Sequence, residues 1–198
     1  MGSVRSGTPS EMQGNGGGQV SNGVPEDRQG WSGAGWKAAM FRGSYEVRVD
    51  DKGRFKLPAG FVKVAEQKQY GSEFFLTSFD GVIGEIWPLK EWELKEAEWA
   101  VVPDESRQKR EVLQYVNYYG QQAEMDGQFR LLVHPRLRAA ARLLGDVDII
   151  GAGKYMKIAN ADVMKRMVEG EDSKAPEAPV SITEALDFMA EQVKLGRG

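Results

Sequence analysis

The chain has 198 residues, of which 41% are hydrophobic and 28% are charged, as in ordinary globular proteins with a buried core. It has no cysteine and one histidine, which argues against disulfides, thiolate chemistry and a zinc centre. We therefore expect no metal, no cofactor and no catalytic site. No apolar run approaches the roughly 18 residues of a membrane span, and no secretory signal is visible, so we expect a cytoplasmic protein.

Charge is distributed unevenly along the chain. The formal net charge is −3, which taken alone argues mildly against nucleic acid as a ligand. Residues 41–68, however, hold seven basic residues against four acidic ones, and residues 126–142 hold four against one. Residues 85–111 and 169–198 are acidic. Because a ligand responds to the local field, the two basic segments are candidate anion-binding surfaces.

The first 39 residues contain ten of the 24 glycines. Such a segment buries too little surface to offset the entropy lost on ordering, so we predict a disordered extension over 1–39. The alternative is that Met40 is the true start of translation.

From Met40 onward the pattern is that of short strands and helices. Alternating apolar residues predict a strand over 45–49, a tight turn over 50–53 and a return strand over 55–57. Pro58 opens a short helix, and a second strand pair follows over 74–87.

Two helices are predicted in the middle of the chain. The first begins at Pro88 and carries Trp92 and Trp99, which we interpret as core or subunit-interface residues. The second covers 103–119, with Gly120 as its cap.

The first pattern then returns at a constant offset, which relates Asp50 to Asp126 and Arg54 to Arg130. A strand over 131–133 precedes a helix that Gly145 closes. The predicted apolar stripe of that helix is Leu137, Ala140, Ala141 and Leu144. A strand pair over 147–150 and 155–158 completes the second repeat.

The acidic C-terminal segment contains one helix candidate, Ser181 to Leu195. Ser181 and Glu184 match a capping box. Its apolar face consists of Ile182, Leu186, Met189 and Val193. We expect this helix to dock on the protein or on another subunit rather than on a membrane.

Each repeat places an aspartate and an arginine four residues apart across a hairpin turn. The carboxylate can orient the guanidinium, which can then bind phosphate or the O6/N7 edge of guanine through two hydrogen bonds. Lys52 at the first turn would add a phosphate contact. One copy alone would be equally well explained as a surface ion pair. Two matched copies, each inside a basic segment, favour DNA binding.

Several of these motifs, in this order and spacing, resemble the MraZ family. The resemblance rests on Met40-Phe41-Arg42-Gly43, Asp50-Asp51-Lys52-Gly53-Arg54 with Pro58, Pro88–Trp92, and Asp126-Gly127-Gln128-Phe129-Arg130 with Pro135. It runs from Met40 to about Met167. It implies a transcriptional regulator of the division and cell wall gene cluster, which forms a ring-shaped homo-oligomer on the nucleoid and binds direct repeats upstream of its own operon.

The resemblance also implies a fold, mainly β with short helices (α+β), of two tandem swapped-hairpin SpoVT/AbrB-like β-barrel repeats related by a pseudo-twofold axis. We expect repeat 1 at 44–91, a helical connector at 92–119, repeat 2 at 120–163 and an acidic tail with a short helix at 169–198. The implied DNA contacts are Asp50, Lys52, Arg54, Asp126 and Arg130. Arg42, Arg48 and Arg136 are possible auxiliary contacts.

The second repeat departs from the family pattern at Gly127 and Phe129. Because phenylalanine adopts positive φ only at a cost, we expect the second hairpin to differ in shape and to bind DNA more weakly.

We predict a DNA-binding repressor that acts by covering its promoter. The alternative is an AbrB-like antitoxin whose C-terminal tail binds a toxin. An enzyme is disfavoured, because each candidate carboxylate faces an arginine that holds it ionised, which suits a general acid poorly.

Overall fold

The structure, a computed structural model, describes residues 39–169 and 180–196. Apart from Ala39, the predicted disordered extension lies outside the described residues. The described chain begins with a strand–strand–helix–strand–strand unit of β1 (Ser44–Val49), β2 (Arg54–Lys56), α1 (Ala59–Gln67), β3 (Glu73–Ser78) and β4 (Gly84–Pro88). Two helices follow, α2 (Leu89–Trp99) and α3 (Arg107–Tyr119). The unit then recurs as β5 (Gln121–Glu124), β6 (Arg130–Leu132), α4 (Pro135–Ala140), β7 (Gly145–Gly151) and β8 (Met156–Asn160), followed by α5 (Ala161–Glu169) and α6 (Val180–Leu195).

Strands from the two units pair with each other. Six strands form one antiparallel sheet in the order β1-β7-β8-β4-β3-β5, and β2 pairs with β6 in a separate two-stranded sheet. The first strand of each unit therefore pairs with the third strand of the other unit, β1 with β7 and β5 with β3. An α+β architecture of antiparallel sheet and short helices is confirmed. The expected barrels are wrong, because the described strands form an open sheet and a two-stranded sheet rather than closed cylinders.

The six-stranded sheet separates two hydrophobic clusters. Alternation along β3 sends Phe74 and Leu76 to one face and Phe75 to the other. The first face packs against β2, β6, α1 and α4, and its cluster includes Phe41, Phe55, Leu57, Phe61, Leu131, Val133 and Leu137. The second face is covered by α2, α3 and α6, and its cluster consists of Trp87, Trp92, Trp99, Val102, Val112, Val116, Ala185 and Met189. Trp87, Trp92 and Trp99 are thus core residues.

Helix α3 begins later than the sequence pattern predicts. Ser106 caps it, with its Oγ accepting a hydrogen bond from the backbone N–H of Lys109 at 3.3 Å. The Lys109 ammonium donates to the Val102 carbonyl at 2.8 Å and pairs with the Asp104 carboxylate at 2.7 Å. These bonds hold the residues after Pro103 as a turn, so the predicted helix start at 103 is wrong. Gly120 follows the helix with an extended backbone.

The second short helix also differs from its prediction. α4 ends at Ala140, and Arg142 has a φ of 51° that turns the chain. The predicted stripe through Leu144 is therefore wrong, because Leu143 is buried instead and Leu144 is 56% exposed.

The predicted C-terminal helix is confirmed as α6, while the side chain of its predicted cap, Ser181, lies outside the described set. Ala185 and Met189 are buried in the tryptophan cluster against α3, so this helix docks on the protein itself. Among the described residues, every helix is too short or too polar to cross a bilayer.

Candidate nucleic-acid interface

The first hairpin turn is organised by the Asp50 carboxylate. One of its oxygens accepts hydrogen bonds from the backbone N–H groups of Lys52 at 3.0 Å and Arg54 at 2.8 Å. The other accepts from Arg54 Nε at 3.0 Å and pairs with Nη2 at 3.0 Å. Gly53 closes the turn with a φ of +85°, which glycine adopts without strain. The turn thereby fixes the arginine at both its backbone and its side chain.

These contacts keep the carboxylate ionised. The hydrogen bond from the Arg54 backbone, followed by those from its guanidinium, holds the pKa of Asp50 below its usual value of 3.8. The Arg54 side chain remains 35% exposed, so its remaining donors can meet a ligand from solvent.

The second hairpin reproduces this geometry. The Asp126 carboxylate accepts from the backbone N–H groups of Gln128 at 2.9 Å and Arg130 at 3.0 Å, and from Arg130 Nε at 2.8 Å. Its pKa is likewise lowered, chiefly by the Arg130 backbone hydrogen bond. Phe129 takes the place of Gly53 with a φ of 61°. The predicted difference in turn shape is therefore wrong, because the aspartate bonds hold Phe129 in the left-handed region.

Each turn leads from the six-stranded sheet into a strand of the two-stranded sheet, β2 or β6, and we call that sheet the ribbon. The predicted pairing of each first strand with its own return strand is wrong beyond one backbone hydrogen bond at each turn, because β2 and β6 pair with each other instead. Phe55 lies opposite Leu131, and both are buried. Side chains alternate across a strand, so the outer face of the ribbon carries the residues on either side of this pair. These are Arg54, Lys56, Arg130 and Leu132, with Arg54 opposite Leu132 and Lys56 opposite Arg130.

This register brings the two arginines together. Arg54 and Arg130 occupy diagonal positions on one face, which in antiparallel pairs are typically about 7–8 Å apart, with the Cβ atoms somewhat closer. The backbone N–H of Val133 donates to the Gly53 carbonyl and that of Leu57 to the Phe129 carbonyl, both at 2.8 Å, so each turn is bonded to the strand of the other half. The structure thus unites two motifs from separate halves of the chain into one surface.

The other residues predicted to contact DNA lie outside the ribbon, each in different surroundings. Lys52 is exposed at the first turn. Arg48 lies on β1 and pairs with Asp146 at 2.9 Å across the β1–β7 pair, where its charge is partly compensated. The Arg136 guanidinium lies 4.8 Å from the centre of the Tyr118 ring. Arg42 is exposed and contacts the Met40 sulfur at 3.5 Å.

Arg138, which the sequence analysis did not select, lies beside the first hairpin turn. Its guanidinium lies over the first turn and donates to the Asp51 carbonyl at 3.3 Å. A Cβ at Gly53 would lie 2.5 Å from Arg138 Nη1, so glycine leaves the space that this arginine occupies. Arg138 and Arg142 also line a groove of about 470 Å³ beside the turn. The sequence offers one signal, two arginines on a short helix and a third just after it, but it does not indicate what they contact.

One protein family and several of its named members match this chain. The family described as "MraZ protein, putative antitoxin-like" matches residues 40–114. Similar relatives named transcriptional regulator MraZ come from Acidobacterium capsulatum, 47% identical over 130 residues, and from Koribacter versatilis, 41% identical over 130 residues. Each alignment covers 66% of this chain and 88% of the relative. The chain belongs to the MraZ family. A relative of the same name from Nitrosococcus oceani is 27% identical over 151 residues, 76% of this chain and 99% of its own.

The family model covers only one of the two hairpin turns. The first hairpin lies inside the matched range 40–114, whereas the second lies beyond it. The alignments with the Acidobacterium capsulatum and Koribacter versatilis relatives span 130 of the 198 residues and so include the second turn as well. The description of Asp126 and Arg130 as a second copy of the motif depends on the constant offset between the repeats and on the equivalent hydrogen bonds of the two turns.

Proposed function

We propose that this MraZ-family chain is a sequence-specific transcriptional regulator that binds double-stranded DNA through the outer face of the ribbon. The observation that carries the proposal is the pair of arginines, each held by its own aspartate, on one face of a two-stranded sheet. The contacts proposed are Asp50, Lys52, Arg54, Asp126 and Arg130, with Asp50 and Asp126 acting by positioning the arginines.

The size and chemistry of the ribbon suit the major groove. That groove is about 12 Å wide and admits a two-stranded ribbon. A guanidinium can donate two hydrogen bonds to O6 and N7 of guanine, and this contact is among the commonest specific ones. Because each aspartate already fixes its arginine, less side-chain entropy is lost on binding than with a free arginine.

Several basic residues around the ribbon favour the phosphate backbone. Lys52 at the turn, Lys56 on the outer face and Arg138 over the turn all lie beside Arg54 or its hairpin. Phosphate contacts position a protein on the duplex and make its affinity depend on salt. The net charge of −3 does not oppose this, since acidic residues are concentrated in other segments.

One ribbon offers few base contacts, so we propose that the chain acts as a ring-shaped homo-oligomer on direct repeats upstream of the division and cell wall gene cluster. Linking several modest sites raises the overall affinity steeply. Bound across a promoter, such an oligomer would exclude polymerase and repress transcription. The protein would then reside on the nucleoid in the cytoplasm.

The exchange of first strands between the halves supports tandem swapped-hairpin SpoVT/AbrB-like repeats at 44–91 and 120–163, related by a pseudo-twofold axis. We assign the connector to 92–119 and the tail to 169–198.

The antitoxin alternative requires a tail helix free to bind a toxin. The burial of Ala185 and Met189 against the chain's own core weakens that alternative.

The proposal is tested with duplexes from the DNA immediately upstream of the gene, compared with shuffled duplexes, by fluorescence anisotropy. We expect Arg54→Ala and Arg130→Ala each to weaken specific binding by about 1–3 kcal/mol. Arg110→Ala, an exposed arginine on α3, is the matched control and should bind as the wild type does. Equal affinity of the wild type and both ribbon variants for the upstream duplex would contradict the proposal. Stoichiometric co-purification of a small toxin from the native host would favour the antitoxin alternative.

A further inference from the structure

Leu132 stands out on the outer face of the ribbon. Its side chain is 47% exposed, whereas the preceding Leu131 is fully buried beneath the ribbon. Register places Leu132 directly opposite Arg54. A large aliphatic side chain therefore lies beside Arg54 at one end of the face proposed to bind DNA.

The neighbours of Leu132 on this face are cations. Arg54 lies across from it, Arg130 lies two residues before it on the same side of β6, and Lys56 lies opposite Arg130. A face of this composition matches a partner that is anionic and also presents small apolar groups. The major groove of DNA is such a partner, because thymine exposes its 5-methyl group there between the phosphate backbones.

The pseudo-symmetry of the ribbon makes this position distinctive. The offset that relates Arg130 to Arg54 also relates Leu132 to Lys56, so one half presents a leucine where the other presents a lysine. The two arginines are equivalent, but the residues beside them are not. The two ends of the ribbon therefore present different chemical groups beside equivalent arginines.

We infer that Leu132 is a specificity-determining residue that contacts the 5-methyl group of a thymine beside the guanine bound by Arg54. The inference deepens the proposed function and rests on it. Residues directly opposite in an antiparallel pair have Cβ atoms about 4.5–5.5 Å apart. Successive bases rise by about 3.4 Å, so the thymine lies within roughly two base pairs of that guanine.

The test uses deoxyuridine, which retains the pairing and the O4 acceptor of thymine and lacks only the methyl group. A duplex carrying the footprinted upstream site is prepared with each thymine replaced in turn. At one position near the Arg54-dependent guanine, we expect wild-type affinity to fall roughly fourfold, the factor that corresponds to about 0.8 kcal/mol for one buried methyl group. Leu132→Ala should bind the thymine duplex more weakly than the wild type does. Its affinity should not change further when the thymine at that position is replaced by deoxyuridine.

Leu94→Ala is the matched control, because Leu94 is an exposed leucine on α2 and should leave the uracil response unchanged. A wild type that discriminates its site yet tolerates every uracil, or a Leu132→Ala variant with an unaltered uracil response, overturns the inference alone. A change in oligomeric state caused by Leu132→Ala assigns the side chain to a subunit contact and also overturns it. A wild type without preference for the upstream duplex overturns the proposed function together with the inference.

Discussion

Phe55 and Leu131 lie directly opposite each other at the centre of the ribbon, one from each half of the chain and each almost fully buried. The same two short strands thus contribute the core on one side and the candidate DNA-binding face on the other. A substitution in the ribbon will affect stability or binding according to the side on which it falls.

This division predicts opposite behaviour for two adjacent leucines. Leu131→Ala should lower the free energy of unfolding by about 2–5 kcal/mol, because it removes buried methyl groups and leaves a cavity. Leu132→Ala should change it by no more than about 0.5 kcal/mol, since that side chain is half exposed. Urea denaturation followed by tryptophan fluorescence measures both. Similar losses for the two variants would contradict the assignment of inner and outer faces.

The two glycines of the hairpin turns should also differ. Gly53→Ala places a Cβ at a φ of +85° and 2.5 Å from Arg138 Nη1, so we expect a loss of about 1–2 kcal/mol in the free energy of unfolding. Gly127→Ala is the control, because its Cβ would meet nothing within 4 Å. Thermal unfolding of the two variants side by side provides the comparison. An unfolding midpoint for Gly53→Ala that equals the wild-type value would show that the turn tolerates a side chain.

Protonation of the two aspartates should destabilise the fold in acid. Their pKa values in the folded chain are lowered below 3.8, so the ionised carboxylates stabilise the folded state above the unfolded pKa. This contribution is lost as the pH falls through the lowered folded values. The free energy of unfolding should therefore decrease between about pH 5 and pH 2, and the double variant Asp50→Asn, Asp126→Asn should show a weaker dependence.

The control for this double variant is Asp51→Asn, an exposed neighbour in the first turn. Asp104, which pairs with Lys109, also has a lowered pKa and leaves a residual pH dependence in every variant. Denaturant titrations across this pH range give the slopes. An unchanged slope in the double variant would mean that the aspartate–arginine pairs do not stabilise the folded state.

Arg138 should contribute to affinity without contributing to sequence preference. If it contacts one phosphate, Arg138→Ala will reduce the slope of log affinity against log salt by about 0.9 and weaken binding to specific and shuffled duplexes alike. Arg138→Lys should restore most of the slope, because it retains the charge. A loss of specificity in Arg138→Ala with an unchanged salt slope would instead indicate that the residue only supports the turn.

Much of the site could be predicted from sequence because its determinants are local. The turn residues and the Asp-to-Arg spacing lie within short stretches of chain, and the repeat is visible by comparing two such stretches. The repeat alone predicts β5, by relating it to the strand over 45–49, because Gln121 to Glu124 has no alternating apolar pattern and only Ala123 of this edge strand packs on the core. The contact of Arg138 with the first turn joins residues 87 positions apart, and helix periodicity carries no information about such a partner.

The partnership of β1 with β7 has a consequence for synthesis. The sheet cannot be completed until Gly145–Gly151 has left the ribosome, long after Ser44–Val49. At usual elongation rates the nascent chain carries an unpaired β1 for roughly 5–20 s. During that interval its hydrogen-bonding edge is open to other chains, as unpaired strands are in general. Translation speed through the α2–α3 region thus becomes a determinant of how much protein reaches the native state.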